Sequence, residues 1–174
     1  DPALFGWPSV VGQANIHGAR AVAVPGTVAG LALALEQFGS MSLAQVMAPA
    51  IRYASEGVPV TWHWTYMTAR ELATIIRYPE TARVFLSPEG HPLVSLQKTN
   101  PTIFRQPDLA RTLTAIAEQG PRAFYEGETA AKIAGHLAEQ GAPVTTEDFA
   151  RYEATIAEPA SMTYQGYQVF APSG

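Results

Sequence analysis

The sequence has no cysteine among its 174 residues, and it has few charged residues. The lack of cysteine excludes disulfides, thiolate metal sites and a cysteine nucleophile. It does not indicate whether the protein resides in a reducing or an oxidising compartment. Charged side chains make up 15% of the chain, where about 25% is usual for a globular domain. A folded chain with so little charge is expected to cover part of its surface, so we interpret it as a piece of a larger assembly.

Basic residues are also scarce, with 11 Lys and Arg against 15 Asp and Glu, and the formal net charge is −4. This balance leaves no basic stripe for phosphate groups, which argues against nucleic-acid binding. The longest apolar run, 21–35, is interrupted by Pro25 and Gly26 and is shorter than the ~20 residues of a membrane-spanning helix. The start at Asp1-Pro2 does not resemble a signal peptide, which predicts a sequence that begins inside a longer gene product or after processing.

The apolar spacing predicts an α-rich α+β chain that forms a single incomplete domain over 1–174. A loop with a short strand is expected over 1–26, and helices are expected over 27–151 with a proline-rich loop at 79–106. The alternating pattern near the end predicts strands over 152–171 that continue into a sheet outside this sequence.

Start and stop signals set the expected helix boundaries. Thr27 is expected to cap the first helix, and Ser42 opens a capping-box pattern for the second. Pro49 predicts a kink or a break in that second helix. Thr145 or Thr146 is expected to cap a short helix whose first turn is acidic.

Glycine and proline mark two further features of the helical region. Gly30 lies inside the first helix at a cost of about 1 kcal/mol relative to alanine, which indicates a close contact with another helix. Another helix is expected from Thr61 to about Tyr78, with Pro79 as its end.

The candidate metal ligands are four histidines, and none has a partner at the spacing of a zinc-binding helix. They are His17, His63, His91 and His136. We therefore expect no metal site. His63 lies between Trp62 and Trp64, a pattern that fits either a stacking site for a ligand at 62–66 or a helix that packs two indoles into a core. The second interpretation is favoured.

Patterns for nucleophilic catalysis are weak. The sequence contains no Gly-x-Ser-x-Gly elbow. Thr27 stands at a helix start, where backbone N–H groups favour an anion, but capping alone explains a threonine there. Glu147 and Asp148 are explained by the positive end of a helix dipole. The residues taken alone therefore predict an α-rich piece that leads into a sheet, and they identify no active site.

Five blocks of sequence, in the family's order, resemble the γ-glutamyltranspeptidase family. Together they cover about 21–170; each block is weak alone, and five in the family's order are hard to obtain by chance. The blocks are 24–30 with 37–39, 49–57, 107–113 with 120–127, 144–152, and 164–169.

The resemblance implies the N-terminal nucleophile hydrolase fold, a four-layer αββα sandwich formed when one precursor cleaves itself into two subunits. This chain then belongs to the large subunit, mostly to its helical portion. The implied partner is the catalytic small subunit of the same precursor, and the implied substrate is a γ-glutamyl amide such as glutathione. No cofactor is implied. Bacterial relatives imply a periplasmic or secreted location, with a cytoplasmic one left open.

The same resemblance implies that the catalytic groups lie outside this chain. The threonine nucleophile begins the small subunit, which also carries the oxyanion-hole glycines, and the arginine that binds the substrate α-carboxylate lies upstream. We therefore assign no catalytic residue, no cofactor-binding residue and no metal ligand here. The chain alone is predicted to have no turnover.

Two alternatives stay open at this point. A related N-terminal nucleophile amidase or acylase with another amide substrate would share these helices, and 170–174 is shorter and less proline-rich than the family's usual segment. A non-catalytic helical scaffold would keep the helices and lack the nucleophile. A downstream threonine at a self-cleavage point distinguishes the two enzymes from the scaffold.

Overall fold

The computed structural model describes residues 14–96 and 100–172. Outside the described residues are 1–13, 97–99 and 173–174, which belong to the predicted loops and to the end of the chain. Along the chain the elements are a 3₁₀ turn (Ala19–Ala21), α1 (Thr27–Phe38), α2 (Leu43–Glu56), β1 (Val58–Pro59), α3 (Trp62–Arg70), α4 (Leu72–Ile75), α5 (Pro79–Phe85), β2 (Ile103–Phe104), α6 (Pro107–Gln119), α7 (Arg122–Tyr125), α8 (Gly127–Glu139), α9 (Thr146–Ala150), β3 (Ala160–Tyr164) and β4 (Tyr167–Ala171).

Two compact units contain these elements. One unit combines the chain up to Ser40 with the chain after Gly120, and the other spans Met41–Gly120. The predicted α-rich α+β class is confirmed, because helices dominate and the strands form two antiparallel pairs, β1 with β2 and β3 with β4. Among the helices of the described ranges, none is both long and apolar enough to cross a membrane.

The core of the first unit forms where α7, α8 and α9 meet. Tyr125, Ala130 and Phe149 are buried there, and Phe149 is fully shielded from solvent. Val144 and Phe149 pack in the same cluster, which fixes the entry of the chain into α9. Burial of two large aromatic side chains in this cluster stabilises the unit.

The second unit is built on α2 and α6, which pack along each other. Ala54 of α2 and Ile116 of α6 are buried. A second cluster joins three aromatic rings, with the Trp64 centroid 4.4 Å from that of Phe104 and 6.0 Å from that of Phe85.

The proline inside α2 does not break the helix. The structure keeps one helix from Leu43 to Glu56 with Pro49 in its interior, so of the two predicted outcomes, a kink or a break, the break is wrong. The Ser42 hydroxyl and the Gln45 side chain form the expected capping box, which stabilises the start of the helix. Packing against α6 offsets the hydrogen bond that proline cannot donate.

Two expectations about 61–106 need correction. Residues 79–85 form α5 where a loop was predicted, because Pro79 occupies the first helical position and Glu80 lies in the favourable first turn. The single helix expected from Thr61 is divided into α3 and α4. Glu71 separates them, with φ −93° and ψ 5°, outside the regular helical range.

The strands begin later than the alternating pattern predicts. Residues 152–159 are not part of a strand, and the hairpin starts at Ala160. A strand requires a hydrogen-bonded neighbour, and the described residues provide none for 152–159. The hairpin itself turns through Gln165 and Gly166, which both have positive φ, as a two-residue type I′ turn requires.

The stability of the start of α9 depends on pH through the carboxylate of Asp148. Its carboxylate accepts hydrogen bonds from the Thr145 hydroxyl at 2.7 Å and the Thr145 backbone N–H at 2.9 Å. These bonds hold the pKa of Asp148 below its ordinary value of 3.8. The contribution to stability is therefore complete above pH 3.8, and it is lost as the pH falls through the lower pKa of the folded state.

We expect Asp148→Ala to lower the thermal unfolding midpoint at pH 7 and to lose most of that effect at a pH below the folded-state pKa. Glu139→Ala is the control, because it removes an exposed negative charge at the end of α8 without altering a cap. The measurement is the thermal unfolding midpoint of each variant across this pH range. Equal changes in midpoint for Asp148→Ala and Glu139→Ala would contradict a stabilising role for the Asp148 carboxylate.

Candidate functional site

The hydroxyl of Tyr125 holds the start of α1. It accepts a hydrogen bond from the backbone N–H of Ala29 at 3.0 Å and donates one to the carbonyl of Pro25 at 2.7 Å. Gly26 is the N-cap residue of α1 and has no side chain with which to cap it. The predicted cap at Thr27 is therefore wrong, because Thr27 is the first helical residue and the tyrosine hydroxyl takes the place of a capping side chain.

Tyr152 also lies against this turn. Its ring stacks on that of Tyr125, with centroids 5.5 Å apart and planes 13° from parallel. A Cβ atom placed on Gly26 would lie 2.1 Å from the Tyr152 hydroxyl oxygen. The glycine is therefore required for space, since its φ of −89° is one that other residues adopt readily.

Arg122 connects this aromatic pair to the end of α9. Its guanidinium donates to the carbonyl of Ala150 at 2.6 Å and to that of Tyr152 at 3.4 Å, and it pairs with Glu126. It also lies 6.0 Å from the centre of the Tyr125 ring. We call Tyr125, Tyr152 and Arg122 the tyrosine clamp, because together they fix the Pro25–Gly26 turn against the core.

A shallow hollow of about 290 Å³ lies beside the tyrosine clamp. Its lining includes Ala29, Ala32, Leu33 and Glu36 of α1, together with Arg122 and Glu153. Burial raises the pKa of Tyr125, so its hydroxyl stays protonated and continues to donate. The residues that line this hollow include no serine, threonine or histidine that could form a nucleophile and base pair.

The residues singled out in the sequence do not come together as a site. His63, His91 and His136 are exposed and His17 is half-buried. Within 14–96 and 100–172, no three histidine or acidic side chains are grouped as metal ligands. The expected packing of two indoles is confirmed for Trp64 alone, since Trp62 is 80% exposed and contacts His63 edge-on.

The hairpin presents one apolar face to solvent. Its cross-strand partners divide the residues between two faces, because directly opposed residues lie on the same side of the sheet. One face carries Ser161, Thr163 and Gln168 with Phe170. All residues of both strands are exposed. The other, mostly apolar face is formed by Ala160, Met162, Tyr164, Tyr167, Val169 and Ala171.

The tyrosine clamp was not identified from the sequence. Tyr125 and Pro25 are 100 residues apart, and no local period joins a tyrosine to a helix start at that distance. The only signal was indirect: 24–30 and 120–127 were both blocks that resemble one family. A block match locates a segment along the chain and does not say which hydroxyl caps which helix.

Comparison with known proteins identifies the family. The model of the family described as Gamma-glutamyltranspeptidase matches residues 5–174. The Glutathione hydrolase proenzyme of Escherichia coli (strain K12) is 38% identical over 151 residues, which are 84% of this chain and 24% of that protein. The Acylase ACY 1 proenzyme of Pseudomonas sp. (strain V22) is 34% identical over 158 residues, which are 91% of this chain and 27% of that protein.

A solved structure agrees in its fold. The chain matches the crystal structure of Helicobacter pylori gamma-glutamyltranspeptidase with a TM-score of 0.87 and 29% identity, over 94% of this chain and 46% of that chain. The chain therefore has the fold of the corresponding, mostly helical portion of an N-terminal nucleophile hydrolase. It spans about a quarter of the length of the curated relatives that it matches. This chain is a member of the γ-glutamyltranspeptidase family.

Proposed function

We propose that the chain is part of the large subunit of a γ-glutamyltransferase or glutathione hydrolase, an enzyme that cleaves γ-glutamyl amides. The observation that carries the proposal is the family match over 5–174, supported by the TM-score of 0.87 to the Helicobacter pylori enzyme. In this proposal the nucleophile is a threonine at the start of a small subunit, outside this chain.

The proposed reaction proceeds through a covalent intermediate. The threonine hydroxyl attacks the γ-carbonyl of the substrate, and the threonine's own α-amine accepts the proton. An α-amine has a pKa near 8, so a large fraction is neutral and able to accept a proton at working pH. The amide C–N bond then breaks, the amine leaves with that proton, and water or an acceptor amine releases the γ-glutamyl group.

The contribution of this chain in the proposal is a scaffold. The tyrosine clamp fixes α1 to the core of its unit through two hydrogen bonds and a ring stack. The apolar face of the hairpin supports a partner, because antiparallel sheets normally pack one face on a core. We propose that this partner includes the small subunit of the same precursor, and that 1–174 is one incomplete domain.

The test uses the full-length precursor and the isolated 174-residue chain with the chromogenic substrate γ-glutamyl-4-nitroanilide. The precursor is expected to cleave into two subunits and to release 4-nitroaniline, whereas the isolated chain is expected to release none. Alanine in place of the small-subunit threonine should abolish both cleavage and release. Release by the isolated chain, or undiminished release by the alanine variant, would contradict the proposal.

A second candidate function is an acylase that acts on another amide. The 34% identity to the Pseudomonas acylase proenzyme favours it. Comparison of kcat/KM for γ-glutamyl and other acyl amides on the same precursor distinguishes the two enzymes. A precursor that neither cleaves itself nor acts on any of these amides would instead indicate a non-catalytic scaffold.

We also propose that the parent protein is exported to a periplasm or to the exterior. The support is the resemblance to bacterial family members alone. Fractionation of cells that express the full-length gene tests it, and activity confined to the cytoplasmic fraction would contradict it.

A further inference from the structure

One of the two compact units is made from two separate stretches of the chain. It combines the residues up to Ser40 with the residues after Gly120, whereas the other unit, 41–120, is one continuous stretch. We call them the split unit and the continuous unit. Val28 of α1 packs against the cluster that contains Tyr125 and Phe149, so the core of the split unit needs side chains from both of its stretches.

The two stretches of the split unit are joined by hydrogen bonds of long sequence separation. The backbone N–H of Ala29 donates to the hydroxyl of Tyr125, 96 residues later, and this hydroxyl donates to the carbonyl of Pro25, 100 residues earlier. A Cβ atom placed on Gly30 meets no heavy atom within 4 Å, so the described residues do not make the close helix contact expected at this glycine. The position of α1 therefore depends on residues that come after Gly120.

The first and last residues of the continuous unit lie at the same end of a helix pair. The backbone N–H of Gln106, at the start of α6, donates to the carbonyl of Ala54, near the end of α2, at 2.9 Å. Because α2 and α6 pack along each other, this contact makes them antiparallel. They have 14 and 13 residues, so each is about 20 Å long and the start of α2 lies near the end of α6.

This geometry changes the entropic cost of closing the split unit. The chance that the two ends of a flexible loop meet falls as about the 3/2 power of the loop length. With 41–120 unfolded, Ala29 and Tyr125 are separated by 96 residues of flexible chain. With 41–120 folded, its ends are already close together and only about 20 flexible residues remain, which raises the chance of closure about ten-fold.

We propose that the protein folds in a fixed order, in which the continuous unit forms first and then promotes closure of the split unit. The continuous unit needs no residue outside 41–120 to make the contacts between α2 and α6, and compact units of a chain generally fold as wholes. The split unit cannot form its core until Tyr125 and Phe149 reach α1. This order is independent of the proposed enzyme activity.

Pulsed hydrogen exchange during refolding of the full-length protein that contains this chain tests the order. Mass spectrometry of the peptides reports when the backbone N–H groups of each helix become protected from exchange. We expect the peptides of α2 and α6 to become protected before those of α1, because α1 waits for the Tyr125 hydroxyl. Protection of α1 before α2 and α6, or at the same rate, would overturn the proposal.

Variants of the same full-length protein test whether the dependence runs in one direction. Ile116→Ala removes a side chain that is 3% exposed in the continuous unit, and we expect it to slow the protection of α1 about ten-fold. Glu118→Ala is the control on the same helix, since it changes an exposed side chain and should alter that rate less than about two-fold.

The reverse experiment uses Tyr125→Phe, which removes both hydrogen bonds to the α1 turn. We expect this variant to change the rate at which α2 and α6 become protected by less than about two-fold, because the continuous unit forms without the split unit. Slower protection of α2 and α6 in Tyr125→Phe would overturn the proposal. An unchanged rate for α1 in Ile116→Ala would also overturn it.

Discussion

Replacement of Tyr125 by phenylalanine is expected to lower the free energy of unfolding by about 2 kcal/mol, because two partly buried hydrogen bonds are lost together. The Ala29 N–H loses its acceptor and the Pro25 carbonyl loses its donor, while the ring and its stacking on Tyr152 are kept. Tyr125→Ala also removes a ring that is 1% exposed, and the expected loss rises to about 3–5 kcal/mol.

Equilibrium denaturation of the intact protein that contains this chain measures both losses. Tyr66→Phe is the control, since Tyr66 is 57% exposed and a surface change of this kind is expected to stay within about 0.5 kcal/mol. A Tyr125→Phe protein as stable as the Tyr66→Phe protein would show that the hydroxyl of Tyr125 does not hold the start of α1.

Gly26→Ala is expected to lower the free energy of unfolding by about 1–3 kcal/mol through overpacking. The new methyl group would lie 2.1 Å from the Tyr152 hydroxyl oxygen, and the Tyr152 ring cannot move freely because it is stacked on Tyr125. The backbone of Gly26 is compatible with alanine, so most of the loss is a steric clash.

The steric origin predicts a rescue. Tyr152→Phe removes the clashing oxygen and leaves the ring carbon Cζ at 3.0 Å from the new methyl group, so the double variant should recover part of the stability lost by Gly26→Ala. Gly135→Ala is the control, and it is expected to be neutral or stabilising because it adds helix propensity in open space. A loss at Gly26 that Tyr152→Phe leaves unchanged would contradict the steric account.

Local chemistry predicted the parts of the fold that are decided within a few residues. The Ser42 capping box depends on residues three apart, and the sequence identified it before the structure did. Pro49 shows the limit of such rules, because packing of α2 on α6 outweighs the local preference of proline to end a helix. Pro79 shows a second limit, since the proline expected to end a helix instead begins α5, and the preceding helix ends earlier, at Ile75.

The tyrosine clamp could not be predicted, because its parts meet only after the chain has folded. Tyr125 and Pro25 are separated by 100 residues, and the capping donor and acceptor at α1 come from a residue with no local relation to the helix. The need for a glycine at position 26 arises in the same way, because the space beside it is filled by Tyr152, 126 residues further along the chain. The assignment of no catalytic residue to this chain stays a prediction.

The decisive experiment treats the mature full-length protein with an electrophilic γ-glutamyl analogue and measures its intact mass. We expect two subunits, of which the larger contains this chain and is unlabelled and the smaller carries one label on its N-terminal threonine. An uncleaved single polypeptide, or a label on any residue within 1–174, would contradict it.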